Sequence, residues 1–455
     1  MQEENKIQAI YDARSLGKGR MTVLGFQHMF AMFGATILVP TLTGLSVSAT
    51  LLFAGLGTLL FHWFTKMKVP AFLGSSFAFL GGYFTVVKMG VNLGMTQLEA
   101  LPYACVGVFF AGLLYFVLAA LIKAFGVKRV MKFFPPVVTG PIIISIGLIL
   151  AGTAIKSLLT NWWIALIAII VVIFCSVWGR GMVKIIPILL GVLISYVVAA
   201  IFGQLEPEKV QALHDAAWVG LPFQWEDTGI SVFSHCNWGF LTTAIIAIVP
   251  IAFATMIEHI GDICAISSTC NRNFLEDPGL HRTLMGDGAA TMLAAAFGAP
   301  ANTTYGENTG VLNLTRVFDP RVVRLAALFA IIFSFSPKFA ALIYAMPTAT
   351  IGGVSLILYG MISSVGIRSL VENKVDLTES RNLIITALVI TLAVGISYGC
   401  EGGALHFGSI ALTGLAVAAI IGILVAAILP STPHTFGFGH KKFKTDVEET
   451  TQNIK

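Results

Sequence analysis

Apolar runs close to the length of a membrane-crossing helix, separated by short polar or glycine-rich breaks, follow one another from residue 22 to residue 430. A helix crosses the hydrocarbon core of a bilayer in about 20 residues. Windows of this kind fall at 22–40, 48–64, 70–92, 101–122, 133–153, 162–178 and 183–202, and, after a polar, partly acidic connection at 203–237, at 238–262, 281–299, 301–315, 323–342, 347–368, 382–397 and 407–430. The pattern predicts an all-α polytopic membrane protein with 14 transmembrane segments. Two windows are poor uniform helices: Ser75 to Gly82 interrupt the third, and Pro300 to Gly306 open the tenth. Thr303 and Thr304 suit extended backbone. Phe77 and Phe79 are expected in a matching short extended segment, with Gly81 and Gly82 allowing close approach.

Composition sharpens this picture. The 455 residues are 56% hydrophobic and 11% charged, against roughly 25% charged in an ordinary globular protein. The net charge of +5 is not gathered into a basic stripe with interleaved aromatics, so no nucleic-acid partner is expected. Cys105, Cys175, Cys236, Cys264, Cys270 and Cys400 lack metal-ligand spacing. No nucleotide loop or nucleophile–base pair stands at a meaningful spacing, which argues against an enzyme. Residues 1–20 carry acids and bases without a convincing processing site, so they read as a cytoplasmic amino-terminal segment rather than a signal peptide.

Charge also orients the chain. With the amino terminus inside and 14 crossings, all of the 28 Lys and Arg fall inside except Lys88, Lys156, Lys209 and Lys338. Such a bias predicts an inner (cytoplasmic) membrane protein with both termini cytoplasmic, including a tail at 431–455. Seven spans followed by seven place equivalent halves in opposite orientation, which is the parity of an inverted repeat. The third element of each half is the interrupted one, and paired interruptions point to a midplane binding site.

Few acids fall at membrane depth. Glu258, Asp262, Asp287 and Glu307 do, and burying them against lipid is costly, so they are expected to face protein or water. Glu258 and Asp262 are one turn apart and share a helix face. His259 points about 100° away and reads as an interface or packing residue. The competing structural reading makes these acids polar glue between helices. The functional reading is a solute and proton site around Glu258 and Glu307, with free amides near Ala301 to Tyr305 and an aromatic contact from Phe77. Non-helical backbone at this depth requires protein or a water-filled cavity to satisfy it.

The segments Phe26-Gln27-His28 through Pro40, Val69 through Phe79, Glu258-His259-Ile260-Gly261 and Asn302 through Asn308 resemble the nucleobase–cation symporter-2 family (xanthine/uracil permeases), and within it the bacterial uracil permeases. The resemblance spans roughly residues 20–430. It implies two inverted repeats of seven spans, with short extended β segments in spans 3 and 10. A core domain of spans 1–4 (21–125) and 8–11 (238–345) would sit beside a gate domain of spans 5–7 (126–202) and 12–14 (346–430), with 203–237 as an extracytoplasmic connection. It implies proton-coupled nucleobase uptake by elevator-like alternating access, with no cofactor beyond the coupling proton, and homodimers embedded in membrane lipid. Glu258 and Glu307 resemble the carboxylates that bind the base, and Phe77, Tyr305 and Gly306 resemble pocket positions. Ser355 and Tyr359 resemble a gate-side polar pair, and His28 a membrane histidine of the uracil-permease pattern. Where that pattern has a histidine one turn after the first glutamate, this chain has Asp262. With Asp287 that is more like the xanthine and urate branch, which in turn places glutamine where this chain has Glu307. The mixture favours uracil and leaves xanthine or another purine as the alternative. A channel or non-transporting receptor is the reading from a different class.

Overall fold

The computed structural model describes residues 9–130, 135–400, 403–407 and 410–429, so the predicted tail at 431–455 lies outside the described residues. Helices dominate: α1 (Gly17–Thr43), α2 (Val47–Phe64), α3 (Leu80–Asn92), α4 (Gln97–Phe125), α5 (Pro136–Leu158), α6 (Trp162–Trp178) and α7 (Pro187–Ile201) make the first half. The second half has α8 (Trp238–Ile248), α9 (Ala252–Cys270), α10 (Leu280–Ala296), α11 (Gly306–Thr315), α12 (Pro320–Ser334), α13 (Pro337–Tyr344), α14 (Thr348–Glu372), α15 (Ser380–Gly399) and α16 (Gly414–Ile428). Strand β1 (Leu73–Ser75) precedes α3 and β2 (Asn302–Thr304) precedes α11, while β3 (Ala404–Phe407) and β4 (Ile410–Thr413) form a hairpin before α16.

Among the described residues, seven helical stretches are long and apolar enough to cross a membrane, or up to eight when a bent pair counts as one. Their outer faces are apolar. The shorter apolar helix α6 carries such a face too: Leu166, Ile170, Ile173, Phe174 and Val177 are all exposed and recur at helical spacing, a stripe suited to lipid rather than water.

Local signals explain where the helices begin. Thr96 and Glu99 form a reciprocal capping box at the start of α4, which satisfies two otherwise orphaned amides. Ser46 caps α2 through Ala49 N, and Asn237 caps α8 through Phe240 N. α8 runs into α9 through a single tight turn at Val249–Ile251, where Pro250 removes one backbone donor.

The packing of the first half reappears in the second. α2 packs on α12 as α10 packs on α4, α1 on α12 as α8 on α4, and α6 on α7 as α15 on α16. α14 likewise packs on α6 as α5 packs on α15. Counterparts also meet each other: α5 with α14, α2 with α10, and β1 with β2. Small residues permit the closest of these approaches: a side-chain carbon at Gly366 would stand 2.6 Å from the carbonyl oxygen of Gly140.

Four details differ from the sequence expectation. The extended part of the third element is Leu73–Ser75, so Gly81 and Gly82 are already helical and neither Phe77 nor Phe79 lies in a strand. Phe79 has helical backbone and is fully buried. The eleventh window is two helices bent by 87°, because Ser336 caps a new helix with Pro337 in its first turn. The fourteenth begins as the β3–β4 hairpin, so its helix starts only at Gly414.

Candidate functional site

β1 and β2 pair antiparallel in the middle of the molecule, with Leu73 opposite Thr304, Gly74 opposite Thr303 and Ser75 opposite Asn302. Ser76 N donates to Ala301 O at 2.7 Å and Tyr305 N to Phe72 O at 3.1 Å, extending the ladder at both ends. A two-stranded ribbon leaves its outer edges unpaired, and away from water each open group costs roughly 1–3 kcal/mol. Side chains from neighbouring helices close them. Leu73 N donates to Thr58 Oγ1 at 2.9 Å, and Thr291 Oγ1 donates to Asn302 O at 2.9 Å. Ser75 Oγ reaches Thr36 O at 2.7 Å, and Asn302 Nδ2 reaches Phe53 O at 3.0 Å. Gly74 is required by close approach: a side-chain carbon there would stand 2.6 Å from both the Tyr305 ring and Thr36 Oγ1.

Each strand feeds a helix, so the crossing is flanked by the amino termini of α3 and α11. The first amides of a helix have no intrahelical acceptor, and they present partial positive charge. The expectation of free amides within Ala301–Tyr305 is corrected here. The Tyr305 amide closes the ladder to Phe72, and the Ala301 amide meets Tyr83 Oη at 3.3 Å. The free donors sit one step further on, at the start of α11. Gly306 is exposed there, and a side chain on it would meet open space.

The four predicted acids divide into two kinds. Asp262 and Asp287 have polar neighbours within the scaffold. Thr304 Oγ1 donates to Asp262 Oδ2 at 2.8 Å, His259 Nδ1 lies 3.1 Å from Asp287 Oδ2, and the same His259 nitrogen lies 3.5 Å from Thr304 Oγ1. This chain ties α9 to β2 and α10, with His259 and Asp287 fully buried. An acceptor oxygen facing His259 Nδ1 assigns the proton to that nitrogen. Glu258 and Glu307 are different. Both are only half-buried, they lie within electrostatic range of each other, and Glu307 reaches its own amide. Among the described residues neither carboxylate accepts a hydrogen bond from another side chain, and no Lys or Arg forms an ion pair with any of the four.

The other predicted residues surround this point. His28 on α1 is buried and held to α11 by Asn308, whose Nδ2 lies 3.2 Å from both His28 Nδ1 and His28 O. Tyr305 is 4% exposed and its hydroxyl donates to Ser75 O at 2.8 Å, so it braces the ribbon and shapes the pocket from behind. Phe77 is half-buried and meets Tyr359 of α14 edge to face, with ring centroids 6.4 Å apart. Ser355 and Tyr359 are fully buried one turn apart, and neither hydroxyl has a closed hydrogen bond.

Sequence reasoning missed the roles of Thr304 and Asn308, and it gave His259 no partner. The signal for His259 was its 100° offset from Glu258. That offset turns it away from the site and toward α10, where Asp287 stands.

Half-buried carboxylates at the meeting of two interrupted elements, in a helical body with an apolar rim, define a multi-pass membrane carrier. The fold is shared with solved transporters. The transmembrane domain of a cyanobacterial bicarbonate transporter, BicA, superposes with a TM-score of 0.63 at 13% identity, covering 93% of this chain and 100% of that one. Murine Slc26a9, an anion transporter in the inward-facing state, gives 0.61 at 9% identity over 94% and 73%. The family model described as "Permease family" (Xan_ur_permease) matches residues 19–402. The chain is 42% identical over 425 residues to the uracil permease of Bacillus caldolyticus, covering 91% of this chain and 93% of that protein. It is 36% identical over 422 residues to that of Escherichia coli K12, covering 89% and 90%. The chain belongs to the xanthine/uracil permease family and is a permease, not an enzyme.

Proposed function

We propose that the protein takes up uracil across the cytoplasmic membrane together with a proton. The observation that carries this reading is the pair Glu258 and Glu307, left without side-chain partners beside exposed helix-start amides, in a chain whose relatives are named uracil permeases. Uracil is a flat ring edged by N–H donors and carbonyl acceptors. The two carboxylates accept the N–H groups, the Gly306 amide donates to a carbonyl, and Phe77 covers the ring face. Asp262 and Asp287 hold α9, β2 and α10 in register, so that the two glutamates keep their spacing.

The packing pattern supports a seven-plus-seven inverted repeat of 14 spans. α1 to α4 with α8 to α13 form one body, the core, and α5 to α7 with α14 to α16 form the other, the gate. Transport is elevator-like movement of the core against the gate, and Tyr359 and Ser355 report the solute to the gate through Phe77. His28, through Asn308, links α1 to the helix that carries Glu307. The inner-membrane placement, the cytoplasmic termini and homodimerisation through the gate follow the positive-charge bias and the family resemblance.

Uptake of labelled uracil by a transport-deficient host, competed with xanthine, hypoxanthine, adenine and thymine, tests the cargo. Competition by uracil at the lowest concentration is expected. Preferential competition by xanthine would instead assign the protein to purines, in keeping with Asp262 and Asp287. Collapse of the proton gradient should abolish concentrative uptake, and undiminished accumulation would sink proton coupling.

A further inference from the structure

A cavity of about 200 Å³ opens among α3, α5 and α15, and its lining begins next to Phe77 of the Phe77–Tyr359 contact. One wall is α3, through Ala78 at its approach and then Gly81, Thr85 and Lys88 along one helical face. The opposite wall is α5 and α15, through Ile149, Thr153 and Tyr398. Ala78 adjoins Phe77 in sequence, and Thr153 lies next to the Tyr359 hydroxyl, so the cavity lining adjoins both partners of the aromatic contact. That hydroxyl is buried, with Ser355 and Thr153 beside it.

The polar lining has a definite sense. Thr85 Oγ1 donates to Gly81 O at 2.8 Å, Thr153 Oγ1 to Leu150 O at 2.7 Å and Tyr398 Oη to Ile149 O at 2.6 Å. Each hydroxyl proton is therefore committed to backbone, and the oxygens remain as acceptors. Lys88 supplies the opposite function. Its ammonium is exposed and forms no ion pair among the described residues, and it offers three donors. A planar solute with both N–H and carbonyl edges matches a cavity that offers hydroxyl acceptors on both walls and an ammonium donor on one. Phe84 and Tyr398 line the same space with flat apolar surface.

We propose that this cavity is a vestibular subsite in which a nucleobase is held, one carbonyl on Lys88, before the Phe77–Tyr359 contact parts and admits it to Glu258 and Glu307. The subsite rests on the uracil reading above and adds a second, weaker station on the same path. It predicts that Lys88 governs arrival rather than turnover.

Two variants test it in the uracil uptake assay. Lys88→Met removes the donor and should raise KM about 5- to 10-fold, the size of effect of an ordinary, solvent-screened hydrogen bond, with the maximal rate retained; Lys88→Arg should restore KM. Gly81→Leu fills the cavity from a position where an added side-chain carbon meets nothing within 4 Å, so the protein should reach the membrane at normal abundance while uptake falls at least tenfold. A KM within twofold of wild type for Lys88→Met, or unimpaired uptake in Gly81→Leu, overturns the subsite. If Glu307→Gln abolishes uptake while both of these behave as wild type, the vestibule alone is wrong. If the unaltered chain carries no uracil, the reading beneath it is wrong as well.

Discussion

At the scale of single residues, what separates the four membrane acids is the company each keeps. Asp262 has a hydroxyl donor at 2.8 Å and Asp287 an imidazole at 3.1 Å, whereas among the described residues Glu258 and Glu307 accept no hydrogen bond from another side chain. Replacing Thr304 by Val should therefore act on stability: it strips a buried donor from Asp262, costing roughly 1–3 kcal/mol and lowering Tm, with KM for uracil changed less than threefold. A large rise in KM with Tm unchanged would place Thr304 in the pocket instead. Glu258 and Glu307 were legible in the sequence because a carboxylate at membrane depth is costly enough to need a reason. Thr304 and Asn308 were not, since hydroxyls and amides are common in helices and only the fold shows which ones face an acid or a histidine. Tyr305 was legible as part of the site, but its hydroxyl and amide turned out to be spent on Ser75 and Phe72.

At the scale of elements, the crossing of β1 and β2 was visible as two interruptions in matching positions, though its limits were not. Gly81 and Gly82 look like helix breakers in a linear reading. In the folded chain Gly82 is helical and packs closely, since a side-chain carbon there would stand 2.8 Å from Ile251. The glycine that matters to the ribbon is Gly74. Gly74→Ala should lower stability by about 1–3 kcal/mol, the usual cost of overpacking, whereas Gly310→Ala on α11, where an added carbon meets nothing within 4 Å, should be neutral or slightly stabilising; equal melting temperatures for the two variants would contradict the close approach.

The segment before α1 is a second element with a testable anchor. Ile10 bridges to Val317, Ala13 N donates to Asp319 Oδ2 at 2.7 Å, and Asp12 pairs with Arg14 and Arg321. Hydrogen bonds from the Arg14 side chain and backbone hold the Asp12 carboxyl down at about 2. A lowered carboxylate pKa stabilises the Asp12–Arg14 turn, which presents Asp12 to Arg321, above the unfolded value of about 3.9. The contribution is lost as pH falls through about 2. Hydrogen exchange across residues 9–16 should stay protected between pH 4 and pH 7 and loosen only below that range, and loosening near pH 6 would rule out the carboxylate as the anchor.

At the scale of the whole molecule, the seven-plus-seven arithmetic comes from apolar spacing and charge bias, and the repeated packing of the two halves agrees with its repeat. The 87° bend between α12 and α13 and the hairpin ahead of α16 were missed for one physical reason. Hydropathy measures how apolar a segment is, and a broken helix or a hairpin buried against protein is as apolar as a straight span. On the reading proposed above, the solute site lies on one packing group, and the Phe77–Tyr359 contact with the cavity between α3 and α5 belongs to a barrier shared with the other.

The claim at the centre of this account is that Glu258 and Glu307 hold the base directly. Equilibrium binding of radiolabelled uracil to the purified protein tests it without the complications of transport. Glu258→Gln and Glu307→Gln should each weaken binding about 10- to 100-fold, the loss of a charged acceptor, with Tm retained. Wild-type affinity in either variant would contradict the claim.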